Sequence, residues 1–251
     1  MSQYLVFQLQ GPMASWGDQA PGEVRHTQAL PGRSALLGLL AAALGIRRDE
    51  ESRLAEFNRH YEFILCANQQ PRWARDYHTV QVPRESRKMR YFTRREELTL
   101  DPSLWETTLS RRDYYSDALW LIAVRATPGA PCSLEELARA LKKPFFPLYL
   151  GRKSHPLALP VWPCLLQGAA AEVLRTMRDR YLSALAASGI WHRPLSALQS
   201  CYWWEGKHEG LESSAVFIRR DQLLSRRRWQ FTTWQMHQGQ LSKEAICTSH
   251  E

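Results

Sequence analysis

The densest polar cluster in the chain is Tyr149-Leu150-Gly151-Arg152-Lys153-Ser154-His155-Pro156, set between strongly apolar segments. Arg152 and Lys153 supply positive charge, Ser154 can donate to a phosphate oxygen, and Gly151 lets backbone approach a ligand closely. Tyr149, Lys153 and His155 are also the side-chain types that a metal-independent ribonuclease uses as phosphate stabiliser, base and acid, and His26 and His78 offer a second such set. Nothing in the spacing demands cleavage. A lone histidine beside a basic turn is more often a hydrogen-bonding group than a catalyst.

A second cluster lies in the loop from Gly11 to Arg33, which follows the apolar run YLVFQLQ and precedes RSALLGLLAAALGI. It carries Trp16, Arg25, His26, Thr27 and Arg33, with Ser34 expected as the N-cap of the helix. A helix start presents unpaired N–H groups and partial positive charge, which suits a phosphate. The third cluster is basic and aromatic. Arg84, Arg87, Lys88, Arg90, Arg94 and Arg95 surround Tyr91 and Phe92, and only Glu85 opposes them between Arg84 and Arg95. Such a segment cannot bury itself, so it is expected as a projecting hairpin or loop for a nucleic-acid backbone. Arg75, Tyr77 and His78 stand on the strand leading into it, where Asp76 is placed to orient Arg75 or His78.

The sequence has no GxxxxGK[ST], HExxH, GxSxG or cysteine–histidine metal spacing, so no nucleotide hydrolysis, metal or cofactor is expected. The 251 residues carry a formal charge of +8 and a pI near 9.4, which fits a polyanionic partner. Five scattered cysteines without a CxxC read as reduced thiols of a cytoplasmic protein. No secretory segment is evident. The longest apolar run, Ala35 to Ile46, is too short to span a bilayer, so no membrane partner is expected.

The elements that must position these clusters follow from periodicity. A strand over YLVFQLQ is followed by a helix ending near Gly45, a short helix over Asp49–Phe57 and a buried strand over Tyr61–Ala67. Strands over RWARDYHTVQV and Asp113–Ala126 flank the basic arm. SLEELARALKK is a helix with Ser133 and Glu136 spaced as a capping box, and a proline-broken extended segment follows. This is the β-α-β-β-α-β order of an α+β, ferredoxin-like (RRM-like) domain. Ala169–Ser188 reads as an amphipathic helix, and Trp191–Glu205 and Ser214–Gln238 read as mainly extended. The pattern leaves open whether these strands form a second sheet or complete the first.

GPMASWG, PGRSALLGLLAAALGI, RDYHT, YYSDALW and PLYLGRKSHPL, in that order from Tyr4 to Leu157, resemble a known family. It is that of the repeat-handle-binding subunits of Cascade, the type I-E CRISPR surveillance complex, in the RAMP superfamily. The resemblance implies a ferredoxin-like RAMP domain over 1–160 with a protruding thumb at 68–112; 161–251 is expected as a C-terminal helix plus a β-rich extension packed on it. It implies a non-catalytic, cytoplasmic ribonucleoprotein subunit for antiviral defence. Its partners would be the 5′ handle of the CRISPR RNA, the large and backbone subunits and, through the complex, target DNA. Trp16, Arg25, Thr27, Arg33, Ser34, Arg75, Tyr77 and His78 would lie near the handle. So would Arg87, Lys88 and Arg90 of the thumb and the turn Tyr149, Gly151, Arg152, Lys153 and Ser154. The family usually has Cys where this chain has His155. A related subunit in another CRISPR subtype cleaves the repeat, so an endoribonuclease using His155, Lys153 and Tyr149 is the alternative.

Overall fold

The computed structural model describes residues 2–18, 20, 22–68, 71–85, 90–188 and 198–240. The strands are β1 (Ser2–Ala14), β2 (Trp16–Gly17), β3 (Val24–Arg25), β4 (Thr27–Gln28), β5 (Tyr61–Asn68), β6 (Arg72–Pro83), β7 (Trp105–Ala126), β8 (Cys164–Gly168), β9 (Leu198–Trp204), β10 (Ala215–Ser225) and β11 (Gln230–Gln240). The helices are α1 (Arg33–Ala43), α2 (Glu51–Phe57), α3 (Arg94–Leu98), α4 (Leu134–Lys142) and α5 (Ala170–Ala187). The protein is a mixed α/β molecule built on one mostly antiparallel sheet.

The sheet's main path is β10-β11-β9-β5-β7-β1-β8, with β3 and β6 also paired to β7. Its central strands are apolar at nearly every position because both faces are covered. Leu5, Phe7 and Leu9 of β1 join Trp120, Ile122 and Val124 of β7 under α1 and α4. The alternate residues Tyr4, Val6, Leu119, Leu121 and Ala123 pack on the other face against Val173, Leu174 and Met177 of α5. One-residue alternation thus feeds two cores, and the register is fixed because a slip would exchange them.

The capping box of α4 is formed: the Ser133 hydroxyl accepts from the Glu136 N–H at 3.2 Å, and the Glu136 carboxylate accepts from the Ser133 N–H at 2.8 Å. Gly45, at φ +78°, ends α1 as expected.

Several expectations are corrected. β1 runs through Gly-Pro-Met to Ala14, so the loop is shorter than expected. Pro12 is tolerated because the ladder skips a pair there, between Gly11↔Ala118 and Met13↔Ser116. Gly32, not Ser34, caps α1, and Ser34 lies in its first turn. β7 begins at Trp105, well before Asp113, because its polar half pairs with β6. The arm also contains the short helix α3, whose Thr93 hydroxyl accepts from the Glu96 N–H. The sequence leaves the place of β9, β10 and β11 open, and they complete the first sheet. The strand beside β1 is β8, which follows residue 160 in the chain. The Trp191 end of the extended stretch lies outside the described residues.

Candidate nucleic-acid interface

Two glycines bring distant parts of the chain together. Gly151, at φ +84°, sits so close to the Ser15 carbonyl that an added Cβ would lie 1.8 Å from its oxygen. A Cβ on Gly11 would meet the Leu150 side chain and the Pro156 carbonyl at 2.7 Å. The Ser15 N–H donates to the Leu150 carbonyl at 3.1 Å, which closes the contact. Gly151 therefore serves approach to the chain's own backbone rather than to a ligand. The loop is tacked down further by the Trp120 indole N–H, which donates to the Ala29 carbonyl at 3.0 Å.

The loop, the arm and the turn meet at Asp113, which sequence reasoning missed. Its side chain is only 4% exposed. Arg75 donates to it through Nε (2.6 Å) and Nη2 (3.0 Å), a forked, charge-assisted pair. His26 donates from Nδ1 to the same carboxylate at 3.1 Å. The Ser15 hydroxyl donates to the Asp113 carbonyl at 3.0 Å. The bond from Arg75, opposed by burial and aided by His26, holds the Asp113 carboxyl below the usual range. The available signal was a single acid in Arg111-Arg112-Asp113, where a basic strand turns apolar.

Positive charge gathers around this hub. β3 lies parallel to β7 with Arg25 opposite Arg112, and the Arg111 N–H donates to the Glu23 carbonyl at 3.0 Å. Arg152 reaches the Arg25 carbonyl at 3.4 Å, and burial followed by the nearby Arg112 lowers its pKa. Lys153 and Ser154 are exposed beside it.

The β6–β7 ladder sets which side chains share a face. Trp73, Arg75 and Tyr77 stand opposite Tyr115, Asp113 and Arg111. Trp73 is 51% and Tyr77 60% exposed, and the Arg75 guanidinium lies 5.1 Å from the Trp73 ring. Rings flanking a fixed cation make a surface for unstacked bases. His78 points to the opposite face with Asp76, 3.6 Å away, so it does not join Arg75 and Tyr77. Asp76 orients His78, while Asp113 orients Arg75.

Other residues expected at the site are placed elsewhere. Trp16 is 1% exposed and packs edge-on against Trp120, because an indole this large is worth more in the core. The Thr27 hydroxyl accepts from the Trp16 N–H at 2.8 Å, holding the loop. Arg33 is 6% exposed and forms a buried ion pair with Glu205. It also donates to the carbonyls of Tyr61 and Asn58. Burial pushes the Glu205 carboxyl up to about 7 against the pull of Arg33. The N-terminus of α1 is not open to a phosphate either. A Cβ on Gly32 would lie 1.8 Å from a carboxylate oxygen of Asp221, so the chain's own acid covers that end.

His155 is buried at 4% exposure, and its Nδ1 has no hydrogen-bond partner among the described residues. Burial, then Arg152, lowers its pKa, so the ring is neutral. Tyr149 forms an isolated antiparallel backbone bridge with Pro156. In the arm, Arg84 and Arg94 are engaged by Glu106 and Glu97, and Arg90 lies over Phe92. Arg87 and Lys88 lie outside the described residues. Among the described residues no group of acids, histidines and cysteines is arranged to hold a metal, and no helix is long and apolar enough to cross a membrane.

The family described as CRISPR-associated protein (Cas_Cas5) matches residues 4–238. The chain belongs to this Cas5 family. It is 35% identical over 170 residues to the CRISPR system Cascade subunit CasD of Escherichia coli (strain K12), covering 64% of this chain and 70% of the relative. A chain from a structure titled CRISPR RNA-guided surveillance complex superposes with a TM-score of 0.62 over 95% of this chain and 90% of that one, at 22% identity. A second, titled crystal structure of Cas protein, gives 0.59 over 96% of both chains at 26% identity. This Cas5 chain thus shares its fold with both.

Proposed function

We propose that this Cas5 chain is the non-catalytic subunit of a type I-E CRISPR surveillance complex that grips the 5′ handle of the CRISPR RNA. The observation that carries the reading is the meeting of loop, arm and turn at Asp113: Arg75 and His26 hold its buried carboxylate, and Arg152 of the turn reaches the Arg25 carbonyl of the loop. Relatedness to a Cascade subunit supports the same conclusion. Single-stranded RNA would be held by phosphate contacts from these arginines and Lys153, with splayed bases on Trp73 and Tyr77. The strand order β8-β1-β7-β5, all antiparallel, with α1 and α4 on one face, supports the ferredoxin-like RAMP description of that half. The β6–β7 hairpin would be the thumb, wedged where handle meets guide. It would adjoin the large and backbone subunits of a cytoplasmic particle, which reads target DNA by guide pairing.

Burial of His155, with Lys153 exposed, supports a scaffold rather than a nuclease. The decisive experiment is binding of handle RNA to wild type and to Arg152→Ala/Lys153→Ala across a salt titration. The variant should bind more weakly, with a salt slope shallower by about one for each phosphate it no longer neutralises. An unchanged slope would refute the site. Site-specific cleavage of labelled repeat RNA in EDTA, abolished by His155→Ala, would overturn the scaffold assignment.

A further inference from the structure

The C-terminal hairpin carries a second arrangement of rings and cations, centred away from Asp113. Residues 226–229 turn the chain between β10 and β11. Trp229 occupies that turn at φ +56°, the left-handed region that bulky residues rarely adopt. Glycine would hold the same conformation without strain. The strain is accepted with the indole 62% exposed, so core burial does not explain it. Three contacts fix the turn: the Trp229 N–H donates to the Arg226 carbonyl (3.3 Å), the Arg228 N–H to the Ser225 hydroxyl (3.1 Å), and that hydroxyl to the Glu51 carboxylate.

The surroundings of the indole have a specific chemistry. The Arg226 guanidinium lies 4.1 Å from its centroid. Phe231 meets it edge-on, with centroids 6.0 Å apart and planes at 86°. With Arg220, Leu224 and Gln230 these rings line an open cleft of about 530 Å³. Arg227 and Arg228, in the same turn as Trp229, are exposed. Arg48 crowds Arg226, and burial together with that repulsion lowers the Arg226 pKa. Glu51 is engaged by Ser225, and Asp221 accepts from the Trp234 indole, so these two acids are turned to the chain's own groups. The cleft therefore presents a flat apolar face, an edge-on wall and crowded positive charge. An acidic peptide would satisfy the charge and leave the indole in water. An unpaired nucleotide satisfies both, since a base stacks on an aromatic ring regardless of sequence and its phosphate meets the arginines.

We propose that this cleft is a second polynucleotide site, which stacks one unpaired base on Trp229 while Arg226, Arg227 and Arg228 hold the flanking phosphates. It does not depend on the Asp113-centred interface. The test uses the full-length chain, a short labelled single-stranded RNA and the DNA of the same sequence. Trp229→Gly removes the indole and relieves the backbone, so folding is retained. It is measured alone and in an Arg75→Ala/Arg152→Ala background, with photocrosslinking to locate the contact. Trp229→Gly should weaken binding about tenfold in both backgrounds, and wild type should crosslink at the Trp229 peptide. A loss with both strands assigns the cleft to either polynucleotide, and a loss with one assigns it to that strand. If the background variant binds like wild type while Trp229→Gly weakens binding, the handle interface fails and the hairpin site stands. Unchanged affinity of Trp229→Gly for both strands, without a crosslink, overturns the proposal. So does a Trp229→Gly chain that keeps its nucleic-acid affinity and loses a protein subunit from the assembled complex.

Discussion

Arg33 and Arg75 have the same side chain, each meets one carboxylate, and each stood in the sequence as an RNA-binding candidate. Their surroundings divide them. Arg33 is closed in by Glu205 and two backbone carbonyls at 6% exposure. Arg75 is held by Asp113 from beneath and remains 37% exposed beside Trp73. One carboxylate is buried to complete a core, the other to aim a cation outward. An arginine's role is thus set by how many of its donors the fold consumes, which its sequence neighbours do not reveal.

Arg33→Ala should break the comparison on the stability side. It strands Glu205 in the core, and the expected loss is about 3–5 kcal/mol in denaturant unfolding. Arg33→Met combined with Glu205→Leu should recover most of it, because an apolar pair of similar volume has no charge to desolvate. The RNA affinity of the folded fraction should not change. Arg75→Ala should act on binding: about tenfold weaker handle binding by anisotropy, with Asp113 left to His26. Arg75→Lys should rescue little, since an ammonium cannot make the fork.

The two carboxylates also predict opposite pH responses. Burial raises Glu205 to about 7 from an ordinary 4.5, so the folded chain takes up a proton the unfolded chain lacks. Its contribution falls as pH rises through that window. Asp113 is held below its ordinary 3.8, so its contribution is full above that value and is lost only on further acidification. His208 runs against Glu205. Burial, then Arg125, depresses its pKa from 6.5 to about 4, so its contribution is complete above 6.5 and fades as pH falls. Stability measured against pH should tilt upward in Glu205→Gln relative to wild type between pH 5 and 7, whereas Asp113→Asn should be less stable than wild type above pH 3.8, with the difference shrinking only on further acidification. The smallest effects belong to exposed residues. Lys153→Ala should flatten the salt slope by about one while leaving stability within about 0.5 kcal/mol, and His78→Ala, on the far face of the hairpin, should change handle affinity less than twofold.

The central strands were legible because burial on both faces writes a continuous apolar run, as in Tyr61–Ala67. α4 was legible because its capping box is local. The polar half of β7 was hidden, since its residues are fixed by pairing with β6 instead of by burial. Asp113 was hidden too, because its partner is 38 residues away and its value is visible only in three dimensions. Ser34 misled for a local reason: a serine beside a helix start looks like a cap, but Gly32 holds that place under Asp221. The C-terminal strands were recognised as extended, but their place in the sheet depends on β5 accepting β9, which no local pattern encodes.

The order of strands in the sheet also has a meaning in time. Among the described residues β1 pairs with β7 and β8, whereas its own synthesis ends at Ala14 and that of β7 ends at Ala126. At ribosomal speeds the apolar first strand waits on the order of ten seconds for its neighbour to be made. Until then Tyr4, Leu5, Val6 and Phe7 have no ladder to join. The nascent chain therefore passes through a sticky adolescence, and its yield in the cell depends on whatever shelters that strand while the chain is being finished.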